Sequence, residues 1–330
     1  MTEGVSRGAS YKPKIAVIGV GGAGGNAVDN MIAQNLSGVS FLAANTDAQA
    51  LSKCKATEKI QLGLEITGGL GAGSLPTVGQ AAAEETLQEI VGQLAGYHMC
   101  FLAAGMGGGT GTGAAPVIAQ ALRDAGILTV AVVTEPFAFE GTHRSRQAKA
   151  GVDRLLAATD TVIVVPNQSV IRVSNPDTTL AAAFAAADAV LFSGVSSIVD
   201  LILKEGLVNL DFADVKAVMQ NMGLAVMGTG DASGEGRAAA AAQAAIDNPL
   251  FGDALVSDAR GALVLISAGQ SLTLFEVDEA AGRIREAVSE NAEIVFGATI
   301  DETLASTMRV SIIATGLRRA KVPTHIERVA

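Results

Sequence analysis

The sequence predicts an α/β protein: a parallel-sheet, Rossmann-like nucleotide-binding domain, a long connecting helix, and a second, smaller α/β domain. Three observations carry this. Through the first half, apolar runs rich in Val and Ile ("KIAVIGV", "VSFLAANTD", "KIQLG", "MCFLAAGM", "LTVAVVTEP", "TVIVVPN") alternate with helical stretches such as "PTVGQAAAEETLQEIVGQL" and "HRSRQAKAGVDRLLAA". Strands buried on both faces and joined by helices require a parallel sheet with right-handed crossovers. Next, Leu180, Phe184, Ala187, Leu191, Val195, Ile198 and Ile202 recur at spacings of three and four, which predicts one long helix over 178–204. Finally, the runs "LAVMGTGD", "ALVLISAG", "AEIVFGATID" and "MRVSIIATG", interleaved with "RAAAAAQAAID" and "EVDEAAGRIREAV", predict the smaller domain.

The expected organisation is an N-terminal extension over 1–13, a nucleotide-binding domain over 14–177, the connecting helix over 178–204, a loop and following helix over 205–220, the second domain over 221–316 and a short polar tail over 317–330. Of 330 residues, 49% are hydrophobic and 17% charged, enough for a well-buried core. Aromatic residues are only 4%, so Ala, Val, Ile and Leu must fill it. A net charge of −10 argues against general binding to nucleic acid or anionic lipid. Cys54 and Cys100 lack metal-ligand spacing, and the apolar context of Cys100 predicts a buried thiol, as in a reducing cytosol. The start of the chain lacks the apolar core of a signal peptide, and no uninterrupted apolar run of membrane-spanning length occurs.

The stretch "AAGMGGGTGTGAAP" places Gly107, Gly108, Gly109, Gly111 and Gly113 between a strand and a helix. Glycine permits positive φ and close backbone approach, and successive free N–H groups at a helix start form an anion site. Thr110 and Thr112 can add hydroxyl donors, and a side chain at Gly109 is expected to enter the cradle. A tight turn alone needs fewer glycines. No Gly-Lys-Ser/Thr occurs, so this is not a Walker loop. A second loop, "GVGGAGGN", supplies Gly21, Gly22, Ala23, Gly24, Gly25 and Asn26. With Gly19, Gly21, Gly24 and the later Asp47 it also fits a dinucleotide fingerprint, which keeps an NAD-dependent oxidoreductase open. A third loop, "TGGLGAGSLP", carries Gly71, Ala72 and Gly73. Three glycine loops at three strand ends suit a polyphosphate better than one pyrophosphate.

These motifs, with "ANTDAQAL", "PFAFEG" and "NLDFADV" in order and spacing, resemble the tubulin/FtsZ GTPase family from about Lys14 to Gly316. The resemblance implies binding of GTP and GDP, with Mg2+ held mainly through the phosphates and no protein metal site. Asn45 and Asp47 fall in the second of the family's motifs. Phe184 and Asp188, four apart on one helix, share a face. A ring there can stack on a purine, and a carboxylate can accept the N1–H and N2–H of guanine; core packing and a solvated helix face are the alternatives. The resemblance assigns base contacts to Asp188 and Asn167, the ribose to Glu140 and the phosphate side to Arg144.

Asn209, Asp211 and Asp214 lie in "GLVNLDFADV". Asp211 or Asp214 can simply cap the helix that follows, or a carboxylate pair can polarise a water for attack on a phosphoryl group. The resemblance implies that they reach the nucleotide of the next subunit in a head-to-tail filament. It further implies a cytoplasmic polymer at the division site, partnered by itself and by longer family members. A nucleotide-binding structural protein without turnover is the remaining alternative. Glu135, Gly69 and Leu75 depart from the family's polar or basic residues and are expected to affect only filament contacts or rate. The tail after Gly316 is expected not to bind membrane directly.

Overall fold

The computed structural model describes residues 12–173, 177–204, 206–208, 210–251 and 256–317. The N-terminal extension, the tail beyond 317 and Asn209 therefore lie outside the described residues.

Six strands, β1 (Ile15–Val20), β2 (Val39–Asn45), β3 (Glu58–Gln61), β4 (Met99–Gly105), β5 (Leu128–Glu135) and β6 (Thr161–Pro166), run parallel in the order β3-β2-β1-β4-β5-β6. All six residues of β1 are buried, because helices cover both faces of its strand. Strand order reverses between β1 and β4. At such a switch point the connections leave in opposite directions and open a crevice beyond the carboxyl ends of the strands. Helices α1 (Gly21–Ala33) and α5 (Thr110–Asp124) start there. The others of this half are α2 (Ala48–Lys53), α3 (Leu64–Thr67), α4 (Pro76–Gln93), α6 (Thr142–Ala158) and α7 (Asn167–Val173). Pro76 opens α4, where its missing N–H costs nothing.

The connecting helix is α8 (Leu180–Leu203), capped by the Thr179 hydroxyl, which accepts from Ala182 N–H at 3.2 Å. Its 24 residues span about 36 Å. By length and composition alone it could cross a membrane. Its Leu191, Val195, Ile198 and Val199 are instead buried in the largest core cluster. That cluster holds Phe101 and Val132 of the first half together with Leu263 and Ile313 of the second, so α8 is a spine shared by both.

Beyond it follow α9 (Phe212–Met219), β7 (Gly223–Ser233), α10 (Arg237–Ile246), β8 (Gly261–Ala268), α11 (Leu274–Ala287), β9 (Glu293–Ile300) and β10 (Thr307–Leu317). β10 lies antiparallel between β7 and β8. β7 pairs with β6 over Thr161–Gly223, Val162–Leu224 and Ile163–Ala225. The two halves therefore share one sheet, β3-β2-β1-β4-β5-β6-β7-β10-β8-β9, among the described residues. At about 20–25° of twist per neighbouring strand, its far strands point well away from its first ones. Cys100 is buried, and burial pushes its thiol up to about 12.

Candidate functional site: a glycine-lined cleft and a distant acidic helix cap

At the switch point lies a cleft of about 440 Å³. Gly21, Gly22, Ala23 and Asn26 line it from α1, and Gly108, Gly109, Thr110 and Gly111 from the β4–α5 junction. Glu140, Arg144, Asn167, Phe184 and Asp188 close the other side. Two helix N-termini thus open on one cavity, each with free N–H groups and the positive end of its dipole. Thr46 and Thr110 tie the two sides of the floor through a 2.6 Å hydroxyl contact.

The glycines divide by task. Gly21 (φ +74) and Gly107 (φ +103) hold left-handed backbone that a side chain would strain. Gly22, Gly25 and Gly108 have open space where a Cβ would stand. Gly24 packs on the Ala103 carbonyl, Gly111 on Gly105 and Gly113 on the Pro76 carbonyl; they let helices approach strands and each other. Gly109, Gly111 and Gly113, three of the five glycines between 107 and 113, therefore sit in close packing. A Cβ on Gly109 would meet Ala72 Cβ at 2.8 Å and Leu75 N at 2.9 Å. It points into the third loop, which corrects the expectation that it enters the cradle. Thr112 also differs from expectation: buried, its hydroxyl accepts Gly107 N–H at 2.8 Å and fixes the loop's own turn.

Gly108→Val is expected to weaken nucleotide affinity tenfold or more, roughly the effect of lost backbone hydrogen bonds to a charged group, with little change in melting temperature. Gly113→Ala is expected to cost about 1–3 kcal/mol of stability by overpacking. Melting curves and nucleotide titration of the two variants, side by side, check this division.

The third loop sits against the glycine-rich loop rather than in the cleft lining. Gly71 N–H donates to Thr46 O at 3.1 Å, and Gly69 O accepts from Ala48 N–H at 3.0 Å, so it is fastened to the β2–α2 loop. Gly69 has φ +75, a conformation in which a larger residue is strained. Asn45 and Asp47 line an adjoining cleft of about 320 Å³ with Asn26. The Asp47 carboxylate caps α2, accepting from Gln49 N–H at 2.9 Å and Ala50 N–H at 3.0 Å. Both bonds fall on Oδ1, so the cap fixes the carboxylate's orientation and leaves Oδ2 available toward the cleft.

The far wall gathers residues from four elements. Asn167, which opens α7 directly after β6, is buried, and its Oδ1 has no hydrogen-bond partner. A buried acceptor left empty is costly unless something fills it. Phe184 is partly exposed and stands edge-on to buried Phe137, ring centroids 5.3 Å apart. Asp188, one turn further along α8, is half-buried, and burial raises its carboxyl to about 6. Glu140 accepts from Phe137 N–H at 2.9 Å and pairs with Arg144 at 3.0 Å. Phe137 and Thr134 were not singled out in the sequence; "PFAFEG" held the signal for the first.

Asp211 and Asp214 form a reciprocal cap on α9: Asp211 Oδ1 accepts from Asp214 N–H at 2.9 Å, and Asp214 Oδ2 from Asp211 N–H at 3.1 Å. The capping expectation is therefore met, and each carboxylate keeps a second oxygen. They lie far from the cleft. Phe212 packs near His98, which precedes β4 at its amino end, with ring centroids 6.3 Å apart. The cleft opens at the carboxyl ends, and a six-residue strand alone is about 20 Å long. Exposed large apolar residues follow the same polarity. Among the described residues, Leu64, Ile66, Leu70, Leu75, Phe139, Ile171, Leu180 and Phe184 lie on segments at the cleft end, and Leu207, Val208, Leu274 and Phe275 on the second half's loops and helix starts.

Comparison with known proteins agrees with this geometry. The profile of the Tubulin/FtsZ family, GTPase domain, matches residues 14–175, and that of the FtsZ family, C-terminal domain, matches residues 223–318. The chain is 62% identical over 318 residues to "Cell division protein FtsZ 2" of Rhizobium meliloti (strain 1021), covering 96% of this chain and 92% of that protein. It is 60% identical to "Cell division protein FtsZ" of Bartonella bacilliformis over 94% of this chain, yet spans only 52% of that relative's length. The solved "FtsZ dimer, empty (M. jannaschii)" superposes with a TM-score of 0.88 at 44% identity, covering 93% of this chain and 89% of that one. With both profiles matched in order along one continuous sheet, the chain belongs to the tubulin/FtsZ family.

Proposed function

We propose that this protein is a polymerising GTPase of bacterial cell division, which hydrolyses GTP at the contact between successive subunits of a head-to-tail filament. The observation that carries the reading is the separation of its parts. The glycine-lined cleft and the Asp211/Asp214 pair occupy different ends of one rigid core, so a second copy must bring them together. Apolar residues exposed at both ends support the same contact, since a heterologous interface that does not close on itself generates a filament.

Within the cleft, the N–H groups of Gly21, Gly22, Gly108 and Gly109 and the Thr110 hydroxyl would receive the phosphates. Glu140 and Arg144 would hold the ribose and phosphate side. Phe184 would stack on the base, Asp188 would accept the N1–H and N2–H of guanine, and the empty Asn167 Oδ1 suits a further base donor. Adenine offers no such pair of donors. No cluster of His, Cys, Asp or Glu able to hold a metal occurs among the described residues. Bound with the nucleotide, Mg2+ would neutralise phosphate charge beside the Gly21, Gly22, Gly108 and Gly109 N–H groups. Asp211 and Asp214 of a second copy would orient and polarise a water for in-line attack on the γ-phosphorus. The bond to the bridging oxygen then breaks, leaving GDP and phosphate, and the cleft's N–H groups stabilise the charge on the leaving side. Such a protein acts in the cytoplasm at the division site.

Sedimentation and phosphate release test this. Pelleting is expected with GTP and not GDP, and turnover per chain is expected to rise with protein concentration before levelling off. NAD binding without GTP binding would overturn the reading, as would turnover independent of concentration.

A further inference from the structure

Arg237 is only 7% exposed, and its guanidinium bonds to three other segments of chain. Nε donates to Glu276 Oε1 at 2.6 Å and Nη2 to Glu276 Oε2 at 3.1 Å. Nη1 donates to Ser306 O at 2.7 Å, and Nη2 also reaches Ser271 O at 3.3 Å and Ser271 Oγ at 3.2 Å. The start of α10, the β8–α11 loop, the first turn of α11 and the β9–β10 loop are thus tied at one buried point. Glu276 is the third residue of α11 and closes a capping box: its Oε2 accepts from Thr273 N–H at 2.9 Å, and its N–H donates to Thr273 Oγ1 at 3.3 Å. The guanidinium beside it holds its carboxyl at about 2, so the pair is charged at every physiological pH.

Between the two capping residues stand Leu274 and Phe275, 82% and 86% exposed. Two large apolar side chains this exposed, on the first turn of a helix fastened to three segments, gain little burial within this chain. The same loop is joined by Gln270, which donates to Glu302 Oε1 at 3.1 Å. Leu207 N–H, just beyond α8, donates to Ala298 O of β9 at 2.8 Å, which sets the carboxyl end of β9 beside the end of α8. The pair therefore belongs to the end of the molecule where α8 runs out, with exposed Leu207 and Val208, remote from the cleft where α8 begins. The complementary apolar surface is the one the cleft end leaves bare, including Leu70, 89% exposed, and Leu75.

We propose that Arg237 and Glu276 are positioning residues that hold Leu274 and Phe275 as a preformed contact for the next copy of this chain. The inference rests on the filament reading above. It adds that this contact is fixed before assembly rather than ordered by it, which lowers the entropy lost on association.

The test is a double-mutant cycle on the whole chain, with GTP-dependent pelleting as the readout and GTP affinity and melting curves measured on unassembled protein. Glu276→Gln keeps the capping box but loses the ion pair, and Arg237→Lys loses the fork. Each is expected to raise the critical concentration roughly five- to tenfold, the scale of losing one interface anchor, with GTP affinity unchanged. Phe275→Ala is expected to do the same, and Glu276→Gln added to Phe275→Ala to have little further effect. Hub variants that assemble at the unaltered critical concentration would overturn the proposal. So would effects that multiply in the double variant, or a matching loss of GTP affinity. Absence of GTP-dependent pelleting by the unaltered chain would overturn the filament reading itself, and this proposal with it.

Discussion

Asp211→Ala and Asp214→Ala are each expected to keep GTP binding and lose about 10²–10⁴-fold in turnover, the range for removing a group that positions or activates the attacking water. The cleft and these carboxylates share no contact within a chain, so affinity measured on unassembled protein should not move. The reciprocal cap supplies the necessary control. Each alanine removes one capping bond, at a cost of about 0.5–2 kcal/mol. A melting shift of that size with unchanged turnover would leave the pair as caps and nothing more. The sharper experiment mixes Asp214→Ala with a Gly108→Val protein impaired in nucleotide binding. Alternating subunits then form sites that pair an intact acidic loop with a loaded cleft, and turnover above either protein alone is expected. No recovery at any ratio, with co-pelleting shown, would count against a site shared between subunits.

Asp188→Leu should lower GTP affinity about 100-fold, the loss of two hydrogen bonds to a charged acceptor. Inosine triphosphate lacks the exocyclic N2–H, so the unaltered protein should prefer GTP over it, and the variant should no longer discriminate. The pH dependence follows from the raised carboxyl. Guanine needs the ionised form, so affinity is flat above about pH 7 and falls as pH drops below about 6, approaching tenfold per unit. Folding of the ligand-free subunit responds with the opposite sign. A carboxyl raised from 3.8 to about 6 takes up its proton in the folded state first. Stability from this group is therefore greatest at low pH and declines as pH rises through that window. Titrations between pH 5 and 8 check the first, and Asp188→Asn should flatten the curve. An unaltered slope in that variant would assign the dependence to another group.

The elements and the phosphate-facing loops of this protein are legible in its residue order. A both-face-buried strand needs an unbroken apolar run such as "KIAVIGV", a core-crossing helix needs a stripe such as Leu191, Val195 and Ile198, and a backbone that meets an anion needs glycine. These are local demands, so they are written locally. What each glycine is for depends on its neighbours in the folded chain. Gly108 and Gly113 look alike in "GGGTGTG", but one has open space beside it and the other faces the Pro76 carbonyl, a neighbour set by the packing of α4 on α5. Folding also set that one oxygen of Asp47 caps α2, and that Asn167, at the start of α7, and Phe184 and Asp188, from α8, face loops more than fifty residues earlier in the chain. The hub of Arg237 and Glu276 was invisible for the same reason, since its members are 39 residues apart and meet only because β7 and β8 lie on either side of β10. Above all, the separation of Asp211 and Asp214 from the cleft is a property of the rigid spine and twisted sheet between them. A motif states which groups are present; the distance between two motifs exists only once the chain that joins them has folded.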